Sequence, residues 1–201
     1  MSRLWTYFII LALAYFGWNS WSNRAVKVAG HEMLAPFAPE QQNLSGSSAP
    51  TFEHNGYRLQ TRASYKLQAR LLRKESYRFG REAELSPVDF ALGWGPMSGN
   101  QLLDQITITQ NNRFYWLRWN ELPVPVSQVM QNSANTHIIP ASPRVAKQLK
   151  NMRAGQVIAL EGYLVDAAAP DGWRWNTSLT RKDTGAGACE LFWVENAYVV
   201  R

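Results

Sequence analysis

The side chains able to do covalent chemistry gather in the last third of the chain. Cys189 is the only cysteine in 201 residues; it stands near the end of the stretch 178–190, Ser-Leu-Thr-Arg-Lys-Asp-Thr-Gly-Ala-Gly-Ala-Cys-Glu, and His137 lies upstream of it. A thiol attacks as its thiolate, which needs a base or a cation beside it, and a histidine can be either. In that scheme Cys189 is the nucleophile, His137 takes its proton, Asp183 orients the imidazole and Arg181 steadies an oxyanion. The backbone between Gly185 and Gly187 would add N–H donors. The plainer account makes Cys189 a small buried hydrophobe at the start of a strand and His137 a hydrogen-bonded structural residue. Arg181 and Asp183 would then pair across a glycine-rich turn. A metal held by His137, Asp183, Cys189 and Glu190 lacks the short ligand spacing such sites use, so neither a metal nor another cofactor is expected. The chain has no phosphate loop, dinucleotide fingerprint or paired-carboxylate signature.

A second group of candidates is cationic. The net charge is +6, and between residues 58 and 81 there are eight Lys and Arg against one acid, Glu75. Arg58, Arg62, Lys66 and Arg70 recur along a run in which Tyr57, Leu59, Thr61, Ala63, Tyr65, Leu67, Ala69 and Leu71 alternate with polar residues. That period of two predicts a long strand with one face in the core and a basic face outward. Such a face either solvates a sheet or meets phosphate, on anionic lipid headgroups or nucleic acid.

The elements that must hold these groups divide the chain into three parts. Residues 4–18 are nearly unbroken apolar sequence with Trp5, Tyr7, Trp18 and Trp21 toward the ends. Residues 1–23 are therefore expected to form a single-pass transmembrane anchor of the kind that needs ~17–25 residues. Residues 24–52, with Ala35-Pro36, Ala38-Pro39 and Ser45-Gly46-Ser47-Ser48, read as a flexible linker. Residues 53–201 read as one β-rich globular domain. Within it, Ser86-Pro87-Val88-Asp89 carries the cap, proline and acid of a short helix ending by Gly93. Residues 105–110 and 113–119 form a hairpin about Asn111-Asn112, and Ser142-Pro143 starts a stronger helix over 143–152. Residues 156–165 and 189–200 are apolar strands. The fold class is mainly β (α+β): a small bent sheet or partly open OB-like β-barrel with short helices, preceded by the transmembrane helix. It resembles the general plan of oligonucleotide-binding barrels.

Three segments, 85–98, 133–141 and 178–190, resemble a group of uncharacterised bacterial membrane-anchored proteins for which no activity is implied. His137 followed by Cys189 behind an anchor is also similar in chain order to sortase-like transpeptidases, although in those the Arg follows the Cys and here Arg181 precedes it. Three functions remain open from the residues. The first is a membrane-anchored envelope binding or assembly module without catalytic activity, in the bacterial inner membrane with its body in the periplasm and other envelope proteins as partners. The second is a membrane-tethered Cys/His hydrolase or transpeptidase, and the third an anchored nucleic-acid-binding module using the basic 58–81 face.

Overall fold

The alternation that begins at Tyr57 becomes strand β3 (Tyr57–Ser76), and the sheet is assembled on it. Leu59, Ala63, Tyr65, Leu67, Ala69 and Leu71 are buried, while most residues between them face outward, as a pleated strand requires. A strand of 20 residues must bend to wrap a core, and register shifts between Thr61 and Ala63 and between Leu71 and Arg73 mark where it does. Its first part pairs with β8 (Val157–Ala168) and its last with β4 (Val88–Gly93). In turn β4 pairs with β7 (Ser133–Pro140), β7 with β10 (Glu190–Val199) and β10 with β8, closing a ring. The β7–β10 pair is parallel and the other four are antiparallel. A closed five-stranded ring of this order is the layout of oligonucleotide-binding barrels, which by itself assigns no activity. This computed structural model describes all residues except 1, 2, 23, 31, 47, 48 and 181–188.

Phe90, Leu92, Ile138, Leu164, Phe192 and Val194 fill the barrel, and each buried side chain of this kind contributes ~1.5–3 kcal/mol. Helix α5 (Pro143–Asn151) joins that core through Val145 and Leu149. The Ser142 hydroxyl oxygen accepts from the Val145 N–H at 3.3 Å, so the cap read from the sequence is in place. Where β8 pairs with β10, Gly162 lies so close that a Cβ would strike the Trp193 carbonyl oxygen. Any other residue there would force the two strands apart.

Three expectations are corrected. Residues 1–23 do not supply a transmembrane anchor: α1 (Arg3–Ser22) is helical, but among the described residues no helix is long and apolar enough to cross a membrane. The run counted as apolar owes much of its length to Trp and Tyr, which prefer the interface to the hydrocarbon, and it ends in Asn19 and Ser20. The single-pass assignment and the inner-membrane localisation lose their support with it.

Nor are residues 24–52 a free tether. The Val26 N–H donates to Ala154 O at 2.7 Å, and Gly155 makes this approach possible because a Cβ there would strike Val26 O. Strands β1 (Glu40–Asn43) and β2 (Thr51–His54) both pair antiparallel with β3. Proline and serine content hid backbone pairing that β3 alone provides.

Residues 86–93 are no helix. Val88–Gly93 is the fully buried strand β4, lying between β3 and β7, and burial on both faces outweighs the local Ser-Pro signal.

Candidate thiol–imidazole–carboxylate site

Alternation on the barrel strands sends Phe90, Ile138 and Phe192 inward, so their neighbours in sequence point out of the barrel. Across β4, β7 and β10 the register sets Asp89 opposite His137 and His137 opposite Leu191. Cys189 precedes Leu191 by two residues and leads into β10 on the same face. Asp89, His137 and Cys189 therefore follow one another across three neighbouring strands, with the imidazole in the middle.

His137 Nδ1 stands 3.0 Å from Asp89 Oδ1. The N–H is not aimed along that line, so the contact is an ion pair rather than a straight hydrogen bond. Asp89 is fully buried and its Oδ2 has no hydrogen-bond partner. On the β10 side of the imidazole, Cys189 lines the same cavity and interacts with the ring electrostatically. Burial pulls the pKa of His137 down, but its contacts with Asp89 and Cys189 push it up by more, to about 9. The shift favours the imidazolium form at neutral pH, paired with the Asp89 carboxylate.

A second cation shares the carboxylate. Arg113 Nη1 donates to Asp89 Oδ1 at 2.7 Å and to Ser86 O at 3.0 Å, and its Nε lies 3.5 Å from Glu82 of α2 (Arg81–Leu85). Arg113 sits on the tight turn between β5 (Thr107–Asn111) and β6 (Phe114–Arg118), where Asn112 and Arg113 both take positive φ. The hairpin is thus laid over the barrel with its turn at the site. The Tyr77 ring centroid lies 3.7 Å from the guanidinium carbon, and its hydroxyl accepts from the Arg113 N–H at 2.9 Å. Burial pushes the Tyr77 phenol up to about 12, so it stays protonated there. Trp175 of β9 (Arg174–Trp175) packs its ring 4.8 Å from the imidazole.

These groups border an open cavity of about 530 Å³ whose lining includes Glu82, Arg113, Phe114, His137, Trp175 and Cys189. It lies outside the second and third barrel strands, beneath the loops that follow the first and fourth. In oligonucleotide-binding barrels that region takes the ligand. Among the described residues no group of three or more His, Cys, Asp or Glu side chains is arranged to hold a metal. Asp89 and Cys189 approach the ring from different sides and do not converge on a common point.

Of the four catalytic candidates from the sequence, His137 and Cys189 come together, while Arg181 and Asp183 fall outside the described residues. The residues that sequence reasoning passed over are Asp89 and Arg113. Asp89 was hidden by the helix reading of residues 86–93. Its signal is an acid in the alternating run Val88-Asp89-Phe90-Ala91-Leu92, where a strand interior rarely tolerates an unpaired charge. Arg113 has no local signal, because its partner is brought in by the fold.

The basic face is not one surface. Arg62 pairs with Asp166, and Lys66 Nζ lies 2.9 Å from Glu161. Arg70 is buried, donating to Ser98 O and to Asn100 of α3 (Asn100–Leu103). Neither Arg58 nor Arg70 makes an ion pair among the described residues.

No family model matches the chain, no curated protein matches it, and no solved structure matches it.

Proposed function

We propose that this protein is a thiol-dependent hydrolase or transpeptidase in which Cys189 is the nucleophile, His137 the acid–base and Asp89 the orienting carboxylate. The observation carrying this reading is the order carboxylate, imidazole, thiol across three adjacent strands beside an open cavity. The sheet fixes Asp89 and His137, and Cys189 stands immediately before β10; preorganisation is what nucleophilic catalysis asks of a protein.

In the reaction Cys189 acts as its thiolate beside the His137 imidazolium: the sulfur bonds to an electrophilic carbon, and the imidazolium passes its proton to the leaving group and becomes neutral. A water or amine then gives a proton to His137 and displaces the sulfur. Arg113 is a positioning residue that holds Asp89. A binding module on the same barrel would need none of this row and is the alternative outcome of the test.

The test is acylation by p-nitrophenyl acetate, followed by intact-mass measurement. The expected result is one acetyl adduct, located on Cys189 and lost in Cys189→Ala. In His137→Gln its formation slows at least ~100-fold, the lower end for losing a general acid–base. Acetylation spread over lysines at the same rate in all three proteins overturns the reading in favour of a binding module.

A further inference from the structure

Asn135 lies two residues before His137 on β7, on the same face, and is 2% exposed. Its side-chain nitrogen donates to Arg113 O at 2.8 Å and also points at Cys189 Sγ, 3.7 Å away. An amide nitrogen carries two protons, so one holds the hairpin turn and the other faces the sulfur. The Asn135 oxygen accepts from Gln110 Nε2 of β5 at 2.7 Å, which fixes which end of the amide faces the thiol. A donor nitrogen beside a nucleophilic sulfur does little for the resting thiol, whose sulfur is a weak acceptor. It does much more for an oxygen that gains charge on the carbon the sulfur has just attacked.

We propose that the Asn135 side-chain amide is the oxyanion donor of this site, that Gln110 positions it, and that the substrates are therefore acyl compounds: esters, thioesters or amides. This rests on Cys189 being the nucleophile. As the Cys189 sulfur bonds to the acyl carbon, the carbonyl π pair moves onto oxygen and the Asn135 N–H receives that charge. When the oxyanion collapses, the pair returns, the bond to the leaving oxygen, sulfur or nitrogen breaks, and His137 protonates that atom. Water or an amine later repeats the sequence on the thioester. Alkylation of the same sulfur by iodoacetamide proceeds by displacement at a saturated carbon and creates no oxyanion.

Two rates measured on the full chain separate the parts. For Asn135→Ala, acylation by p-nitrophenyl acetate falls ~100-fold or more, the loss typical of a removed oxyanion donor. Alkylation of Cys189 by iodoacetamide stays within about threefold of the parent, since it creates no oxyanion and loses only a weak N–H contact to the sulfur. Gln110→Ala leaves Asn135 in place and loses about tenfold in acylation alone; it serves also where Asn135→Ala does not fold. Equal falls in both rates, or acylation unchanged in either folded variant, overturn the oxyanion role. A parent protein whose Cys189 is neither acylated nor alkylated instead overturns the nucleophile reading on which it rests.

Discussion

Along β3 the cations Arg58, Arg62, Lys66 and Arg70 line up by sequence, whereas across β4, β7 and β10 the groups Asp89, His137 and Cys189 line up only by register. The first row draws attention in the primary structure and is then taken apart by the fold. Asp166 answers Arg62, Glu161 answers Lys66, and backbone and amide oxygens answer Arg70. The second row is invisible until the strands pair. There one carboxylate oxygen serves both Arg113 and His137 while Asp89 Oδ2 is left without a hydrogen bond. Buried charge that shares its counter-charge has consequences that solvated charge paired one to one does not. A count of lysines and arginines is therefore a poor guide to where this molecule acts, and a single acid inside an apolar strand is a better one.

The contrast can be broken by mutation. Removing the shared carboxylate in Asp89→Ala leaves the buried His137 without its anion and Arg113 with Glu82 alone, and it should lower the unfolding free energy by ~3–5 kcal/mol in a denaturant titration. A loss below about 1 kcal/mol would mean that the row is not electrostatically coupled.

Titration sharpens it next. The folded pKa of His137, about 9, lies above the ordinary 6.5, so its contribution is fully present below about pH 6.5 and disappears as pH rises through about 9. Stability should fall across that window by at most a few kcal/mol, since a single proton is worth about 1.4 kcal/mol for each pH unit crossed. In His137→Gln the fall should vanish. A parent protein equally stable at both ends places the imidazole in a solvent-like setting.

On β3, Arg62→Gln should cost under ~1 kcal/mol, because the Arg62 side chain is 43% exposed and water replaces its partner. A loss as large as that of Asp89→Ala would erase the distinction between the two rows.

Much of the scaffold is legible before folding. The alternation from Tyr57 and the Ser142-Pro143 cap are local patterns whose physics acts within a few residues, and each appears as an element with nearly the read boundaries. Residues 86–93 fail because the same kind of cap signal is overridden by burial between two strands. Residues 24–52 fail because β1 and β2 owe their existence to an edge of β3, which no local composition reveals. For the site, His137 and Cys189 are found by chemical type. Asp89, Arg113 and Asn135 are found only once register and the hairpin turn bring them together.

Whether the imidazole serves the thiol decides the rest, and the rate of Cys189 alkylation by iodoacetamide in the parent protein and in His137→Gln reads that directly. The comparison is made at one fixed pH near neutrality. The account predicts a fall of at least ~10-fold in His137→Gln, because a thiol that has lost its base or cation is less often the reactive thiolate. An equal rate in the parent protein and in His137→Gln would contradict it.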